Sequence, residues 1–271
     1  MTGALSLAAR LAARGTPWPA PIHHLDTVPS TNDHLKALAL AGAPEWTTVM
    51  ADHQTAGRGR HGRAWHSRHG DLFLSVLLRP VVRRELSGLV PLAAGLAVAE
   101  ALEELAVPAQ LKWPNDVLVA GRKISGILCE STSGPAGLET VVVGIGVNVA
   151  ALPEGLPAEL RGRATSLRAE GGSGDAVEVA AAVLARLTVW YHAVPAGSAI
   201  RQAWRERSVA WWGELVEVRA GEVVLRGRPH DLADDGGLLL QLEDGCLTKV
   251  LSGEVQELRR NASGGPGLTP A

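Results

Sequence analysis

A short segment rich in glycine and arginine carries the clearest chemical signal in the chain. It runs from Gln54 to Arg63 with the sequence Gln-Thr-Ala-Gly-Arg-Gly-Arg-His-Gly-Arg. Glycine lets the backbone approach a ligand closely and adopt positive φ. Arginine presents a planar fork of donors that matches the oxygens of phosphates and carboxylates. The composition predicts a loop that wraps an anion, and on composition alone a solvated basic loop is an equal alternative.

The segment does not match the two common glycine-rich nucleotide motifs. A P-loop ends in Gly-Lys-Ser/Thr, and that ending is absent here. Gly57, Gly59 and Gly62 do fit the spacing G-x-G-x-x-G. They lie among arginines, however, and do not open an apolar helix, so this match is a weak signal for a dinucleotide site.

Two lysine-containing motifs follow this segment. Lys112–Asp116 reads Lys-Trp-Pro-Asn-Asp, and Lys123–Gly126 reads Lys-Ile-Ser-Gly. The first combines an amine, an aromatic wall, a rigid turn and a carboxylate, Asp116, of the kind that holds hydrated Mg²⁺. A single lysine is more often a surface charge, but the chain has only four lysines. Two of them beside a tryptophan–proline turn indicate a need for compact point charges.

The hydrophobic pattern predicts the elements that must position these motifs. Ile22–Val28 is typical of a strand, and Ser30, Thr31 and Asn32 offer capping oxygens to a helix that follows it. Residues 120–122 are typical of a hairpin turn. Further strands are predicted at residues 47–51, 72–78 (half-buried), 111–119, 124–130 and 140–149, and helices at residues 89–107, 177–194 and 199–208.

The character of the chain changes after about Trp212. Short β runs then alternate with turn signals such as Ala220-Gly221 and Asp244-Gly245. This spacing predicts a small all-β barrel or sandwich of about 50 residues. The Gly/Pro/Ser-rich tail from residue 261 to 271 is predicted to be disordered.

Composition bounds the class of protein. The chain has 271 residues, is 46% hydrophobic and carries a formal net charge of −2, which argues against a general nucleic-acid or membrane-surface binder. No uninterrupted apolar run reaches the roughly 18 residues of a membrane span, and the N-terminus lacks a signal pattern. Cys129 and Cys246 lack metal-ligand spacing, so we expect small buried side chains. We expect a cytoplasmic protein.

Taken together, the motifs resemble those of biotin protein ligases in order and spacing. The resemblance covers roughly residues 22–260, and it is specific because the motifs occur jointly. They are Ser30-Thr-Asn32, Gln54-x-x-Gly-Arg-Gly-Arg-x-Gly-Arg63, Trp65, Lys112-Trp-Pro-Asn-Asp116, Lys123-x-x-Gly-Ile-Leu-x-Glu130 and Gly144-x-Gly-x-Asn148.

The resemblance implies a fold and a division into domains. The fold is α+β, with a mixed β-sheet covered by helices and followed by a small SH3-like β-barrel. The implied parts are an N-terminal extension at 1–21, the catalytic domain at 22–210, the β domain at 211–260 and the tail at 261–271. Since only about 20 residues precede the first predicted strand, we expect the enzyme-only type without an N-terminal DNA-binding domain.

The resemblance also implies a two-step reaction. The biotin carboxylate attacks the α-phosphate of ATP, with Mg²⁺ present, and gives biotinyl-5′-AMP and pyrophosphate. The ε-amine of a lysine then attacks this mixed anhydride and releases AMP. The implied partner is a biotin carboxyl carrier protein or domain of a biotin-dependent carboxylase. We expect no nucleic-acid or membrane partner, and a monomer or a homodimer.

Residue roles follow from the same resemblance. Lys123, Arg58 and Arg60 are expected to be catalytic, clamping the carboxylate and the α-phosphate and stabilising charge in the transition state. The expected biotin-binding residues are Ser30, Thr31, Asn32, Gln54, Gly57, Arg58, Gly59, Arg60, Lys123 and Gly126. The expected ATP- and adenylate-binding residues are Arg60, Arg63, Trp65, Lys112, Asn115 and Asn148, with Asp116 as the Mg²⁺ ligand.

Three other functions are weighed against this one. A lipoate-protein ligase or octanoyl transferase also acylates a lysine of a small carrier domain, but the Gly-Arg-Gly-Arg run favours biotin. A nucleic-acid-binding module could use the basic segment, although that segment is short and no known binding motif appears. An inactive relative could bind biotin only, but Lys123, Arg58 and Arg60 are all present.

Overall fold

The computed structural model describes residues 2–80, 84–134, 137–152 and 160–257. The described chain forms a seven-stranded sheet with helices and, after it, a five-stranded sheet. Its helices are α1 (Thr2–Ala13), α2 (Thr31–Leu40), α3 (Leu89–Glu104), α4 (Ala176–Ala193) and α5 (Ser198–Arg207), with short 3₁₀ turns at Arg60–Gly62 and Arg84–Gly88.

Within the described ranges, twelve strands make up the two sheets. The first sheet contains β1 (Ile22–Val28), β2 (Thr48–Gln54), β3 (Leu72–Leu78), β4 (Gln110–Lys112), β5 (Asp116–Val119), β6 (Arg122–Gly134) and β7 (Gly137–Val147). The second contains β8 (Val216–Ala220), β9 (Val223–Leu232), β10 (Leu238–Leu242), β11 (Leu247–Val250) and β12 (Glu254–Glu257).

The first sheet is mixed and has the strand order β1-β2-β3-β7-β6-β5-β4. Strands β1 and β2 are parallel, and the other neighbours are antiparallel. Helices cover both of its faces. On one face Leu35 of α2 packs in a small cluster with Val49, Leu77 and Val142. The other face packs against α3 and α4 in the main core.

Strand β3 corrects one expectation. Its alternating leucines predicted a half-buried strand, yet all seven of its residues are buried. The reason is that β3 lies in the interior of the sheet with helices on both faces, so alternate side chains enter two different cores. The alternation of leucines therefore predicted the strand correctly but not the burial of both of its faces.

Helix α3 is the central helix, as the apolar run from residue 89 predicted. Twelve of its sixteen residues are buried. Among the described residues, Leu86–Glu104 is the helical stretch long and apolar enough to cross a membrane, but 67% of its apolar window is buried inside the protein. Packing between the sheet and α4 accounts for its hydropathy.

The second sheet is antiparallel, with the order β11-β10-β9-β8-β12. It confirms the predicted all-β character of the C-terminal part, while its SH3-like closure and the domain boundaries stay predictions. Its β9–β10 turn contacts the β4–β5 turn of the first sheet, where the Trp113 indole donates to the Gly236 carbonyl at 3.1 Å. The predicted disorder of the tail concerns residues outside the described ranges.

Helix α1 was not predicted and belongs to the core. Leu7 and Leu11 are fully buried, and the helix packs against α4. Arg14 pairs with Glu104 at 2.7 Å and with Glu178 at 2.6 Å. Arg14, directly after α1, thus joins this helix to α3 and α4.

The two cysteines differ in accessibility, and this gives a first prediction. Cys129 is partly buried and Cys246 is exposed, which corrects the expectation that both are buried. Burial raises the pKa of the Cys129 thiol to about 12, so its reactive thiolate is scarce near neutral pH. We expect one thiol per chain to react quickly with a disulfide reagent at pH 8, and mass mapping to identify it as Cys246. Two equally fast thiols would contradict the enclosed state of Cys129.

Candidate active site

A cavity of about 1110 Å³ lies where the glycine- and arginine-rich segment faces strands β6 and β7. The β4–β5 turn and β12 of the second sheet complete its walls. All the site residues predicted from the sequence line it except Gly57. They are Ser30, Thr31, Asn32, Gln54, Arg58, Gly59, Arg60, Arg63, Trp65, Lys112, Asn115, Asp116, Lys123, Gly126 and Asn148.

One end of the cavity is a buried polar network at the start of α2. Ser30 is the N-cap, with an extended backbone at φ −154°. The backbone N–H and the hydroxyl of Thr31 both donate to Gln54 Oε1, at 2.8 and 3.1 Å. Gln54 Oε1 is thereby occupied, and its Nε2 faces Gly57, where a Cβ atom would approach to 3.0 Å. This end offers fixed donors and acceptors to a neutral polar head group.

Asn32 is held on both sides of its amide. Its Nδ2 donates to the Leu128 carbonyl at 3.2 Å and to Glu130 Oε2 at 2.7 Å. Its Oδ1 accepts from the Ser75 hydroxyl at 2.6 Å. Both amide hydrogens are therefore used within the protein, so Asn32 shapes the polar end more than it offers donors to a ligand.

Three glycines on β6 and β7 form the floor of the cavity. A Cβ atom at Gly144 would overlap the Asn32 amide, with Cγ at 2.9 Å. A Cβ atom at Gly146 would meet the Trp65 ring at 2.5 Å, and one at Gly126 would meet it at 3.0 Å. Gly126 and Gly146 are partners across the two strands. The absence of side chains here is what admits Asn32 and Trp65.

Replacement of Gly144 by alanine is expected to weaken binding at the polar end. The new methyl group must displace the Asn32 amide and so disturb its bonds to Ser75 and Glu130. We expect the KM of a substrate whose polar head group binds at this end to rise about tenfold, since a buried amide that loses hydrogen-bond partners costs about 1–3 kcal/mol. Gly95→Ala is the control, because a Cβ there makes ordinary contacts at 3.4 Å. Equal KM values for the two variants would contradict this role.

Three arginines of the segment lie in three different electrostatic settings. Arg58 is paired with Asp33 and Glu130. Arg63 is paired with Glu254 of β12. Arg60 instead donates to neutral acceptors, Asn115 Oδ1 at 3.2 Å and the Gly253 carbonyl at 3.3 Å.

Of the three arginines, Arg60 has the surroundings that best suit a bound anion. Desolvation by burial lowers its pKa, which means that the protein surrounds its charge without fully compensating it. No carboxylate among the described residues forms an ion pair with Arg60, and a partly desolvated guanidinium in this state favours a ligand anion.

Lys123 lines the cavity from the β5–β6 hairpin. Its Nζ lies 2.6 Å from Asp116 Oδ1 and 5.7 Å from the centroid of the Trp65 ring. The hairpin register pairs Leu118 with Lys123, so Asp116, two residues before Leu118, lies on the same face. The hairpin predicted from the sequence is thus what brings the lysine and the carboxylate together.

The remaining predicted residues hold loops as well as line the cavity. Asn115 Nδ2 donates to the Ile127 carbonyl at 2.7 Å. Asn148 Nδ2 donates to the Thr165 carbonyl at 2.8 Å. Trp113, expected as an aromatic wall, is buried and bonded to the second sheet.

The site offers little to a resident metal ion. Within the residues that the structure describes, no group of three or more His, Cys, Asp or Glu side chains is arranged to hold one. Asp116 brings one carboxylate, already paired with Lys123. A divalent ion here would have to arrive with its own oxygen ligands.

Sequence reasoning missed the acidic residues around the segment. Asp33 follows the predicted cap, and Glu130 ends a motif that had no role assigned to its last residue. Glu254 had no local signal at all, because β12 lies about 190 residues from the segment it contacts.

Two family models match the chain. The model described as the biotin/lipoate A/B protein ligase family matches residues 25–148, and the biotin protein ligase C-terminal domain matches residues 213–256. The chain is 38% identical over 270 residues to the biotin–[acetyl-CoA-carboxylase] ligase of Mycobacterium tuberculosis, covering 94% of this chain and 95% of that protein. It is 34% identical to the bifunctional ligase/repressor BirA of Bacillus subtilis, covering 87% and 73%.

Solved structures show the same fold. The biotin protein ligase of Aquifex aeolicus in complex with biotin and ATP is 35% identical, with a TM-score of 0.73, and the match covers 89% of this chain and 99% of that one. The ligase of Leishmania major in complex with biotinyl-5-AMP is 25% identical, with a TM-score of 0.62, covering 86% and 99%.

Proposed function

The chain belongs to the biotin protein ligases of the biotin/lipoate A/B protein ligase family, and we propose that it joins biotin to a lysine of a carrier protein at the expense of ATP. The observation that carries the proposal is the cavity itself. It combines a buried polar end around Thr31 and Gln54 with two cations, Arg60 and Lys123, on a floor without side chains.

The polar end favours biotin over lipoate and octanoate. Biotin carries a cyclic urea, which needs both donors and acceptors in a buried pocket, whereas the other two acids end in apolar groups. Thr31 and Asn32 are already paired within the protein, but Gln54 Nε2 has no hydrogen-bond partner among the described residues. An apolar tail would leave such a donor unpaired, at about 1–3 kcal/mol for each unpaired group. The C-terminal match to biotin protein ligases supports the same choice.

In the first step a biotin carboxylate oxygen attacks the α-phosphorus of ATP. An oxygen–phosphorus bond forms, the bond between the α-phosphorus and the bridging oxygen breaks, and pyrophosphate leaves with that oxygen. Two anions must meet, so the step needs positive charge more than a base. Arg60 and Lys123 supply it at the cavity floor, where low polarity strengthens their effect. Asp116 orients the Lys123 ammonium.

ATP is expected to arrive as its magnesium complex, so Mg²⁺ is written here as part of the substrate. Its phosphate oxygens supply most ligands, and Asp116 can add one oxygen at the Lys112–Asp116 turn. Trp65, Lys112, Asn115 and Asn148 are proposed to surround the nucleotide, because each lines the cavity.

In the second step the ε-amine of a carrier lysine attacks the acyl carbon of biotinyl-5′-AMP. An amide bond forms, the bond from the acyl carbon to the phosphate oxygen breaks, AMP leaves and the amine releases a proton. The name of the Mycobacterium relative supports an acetyl-CoA carboxylase as the source of the carrier domain. We propose a cytoplasmic reaction, where carboxylases and ATP are found together.

The proposal is tested by release of pyrophosphate from Mg-ATP, with biotin, lipoate or octanoate in parallel reactions. Release with biotin alone, followed by transfer of biotin to a carboxylase carrier domain detected with streptavidin, is the expected result. Release with lipoate or octanoate instead would assign the chain to the other branch of the family. No release with any acid would contradict ligase activity.

A further inference from the structure

Resting on the proposed function, we infer that Asp33 is a positioning residue for biotin. It acts through an ion-pair clasp formed by Asp33, Lys36, Arg58 and Glu130, which fastens the glycine- and arginine-rich segment to the rim of the polar end. Arg58 is then the fastening of the segment, while Arg60 meets the anion.

Direct contacts define the clasp. Arg58 donates to both carboxylate oxygens of Asp33, with Nη2 at 2.7 Å from Oδ1, and lies 3.3 Å from Glu130 Oε1. Lys36 Nζ lies 2.8 Å from Asp33 Oδ1 and 2.9 Å from Glu130 Oε1. Two acids and two bases thus alternate in one closed, electrically neutral group.

The clasp joins three separate parts of the chain. Asp33 and Lys36 lie in the first turns of α2, Glu130 lies on β6, and Arg58 lies in the segment. Glu130 also accepts from Asn32 Nδ2 at 2.7 Å. The clasp is therefore bonded to the wall of the polar end, and Arg58 lies directly beside the residues proposed to meet the biotin head.

The contacts of Arg58 leave it little capacity for a ligand anion. Its fork is occupied by the Asp33 carboxylate in a two-bond arrangement, which is the strong geometry for this pair. The hydrogen bond from Arg58, with a further contribution from Lys36 and against the effect of burial, lowers the pKa of Asp33 to about 2. The pair thus stays charged across the working pH range. Arg60, held by neutral acceptors, remains available.

The clasp residues are partly exposed, so the expected effects are moderate. Side-chain exposure is 39% for Arg58 and 42% for Asp33. Exposed ion pairs contribute little singly, and a two-bond pair within a network contributes more. Asp33 does not line the cavity, so its replacement should change how long biotin is held and leave the chemical step intact.

The test is a double-mutant cycle on biotin binding with Asp33→Asn, Arg58→Gln and the double variant. We expect each single variant to release biotin about three- to tenfold faster. We expect the double variant to release it no faster than Arg58→Gln alone, because Asp33 acts through Arg58. The kcat for pyrophosphate release by Asp33→Asn should stay within about twofold of the wild type. Asp234→Asn is the matched control, because it removes an ion pair with Arg201, and neither residue lines the cavity.

Three results would overturn the clasp. The first is that Asp33→Asn releases biotin as slowly as the control Asp234→Asn. The second is that the effects of Asp33→Asn and Arg58→Gln add in the double variant. The third is that the kcat of Asp33→Asn falls together with its affinity for biotin. The clasp can also be tested if the proposed function is wrong, because a wild type that does not bind biotin still contains the glycine- and arginine-rich segment. Its attachment can then be measured without a ligand. Trypsin cleavage after Arg60 should then be faster in Asp33→Asn than in Asp234→Asn, and equal rates would reject the clasp.

Discussion

Replacement of Lys123 by methionine is expected to slow pyrophosphate release by about 10²–10³-fold while biotin affinity falls less than about tenfold. Methionine keeps much of the apolar stem and removes the ammonium. Lys123 lies between Asp116 and the face of Trp65. The glycine at position 126 leaves room for the Lys123 ammonium, because a Cβ atom there would lie only 3.2 Å from Nζ. A charge in this place is worth most when the carboxylate and phosphate approach each other.

The Lys123 prediction is checked by single-turnover adenylation beside equilibrium binding of biotin. Lys249→Met is the control, because that lysine forms an exposed pair with Asp235 in the second sheet. Equal losses of binding and rate in Lys123→Met would mean that Lys123 holds the ground-state carboxylate and does not stabilise the transition state. Normal adenylation with impaired transfer would place Lys123 in the second step.

Local patterns predicted most elements of the fold, because their causes are local. The Ser30 cap, the apolar run of α3 and the turn between β5 and β6 each act within a few residues. Burial of β3 and the placement of α1 depend on what packs against them from distant parts of the chain. In the sequence, Leu7 and Leu11 stand in an alanine-rich stretch without a clear signal, and only the packing of α1 against α4 buries them.

The site divides in the same way. The predicted residues lie in one cavity, as the family motifs implied. Strands β6 and β7 pair and bring Lys123–Glu130 and Gly144–Asn148 side by side. The different partners of the three arginines have no sequence signal, because Asp33, Glu130 and Glu254 come from a helix, a strand and the second sheet. Residue type predicted an anion-binding segment, but only three-dimensional contacts distinguish Arg60 from Arg58 and Arg63.

Replacement of Arg60 by glutamine is expected to lower kcat/KM for ATP about 100-fold and to raise the Tm of the free protein by about 2 °C. Both effects have one cause. The fold surrounds the Arg60 guanidinium, lowers its pKa by desolvation and gives it the neutral acceptors Asn115 and Gly253. Asp116 and Glu254 compensate its charge only in part, and burial outweighs them. The charge is therefore costly in the free protein and is better compensated when a ligand anion is present, so function and stability oppose each other at this position.

Arg205→Gln is the control for Arg60, because Arg205 and its partner Asp231 are both largely exposed, at 45% and 48%; neither its kcat/KM nor its Tm should change by as much. Calorimetry of free and biotin- and ATP-bound protein checks the second half of the prediction. The Tm of free Arg60→Gln should be higher than that of the free wild type. The substrates should raise its Tm less than they raise that of the wild type, because the variant has no guanidinium for the ligand anion to bind. A variant that is destabilised when free would show that Arg60 is a structural link between the segment and β12. The positive charge at the anion site would then have to come from Lys123 and Lys112, which also line the cavity.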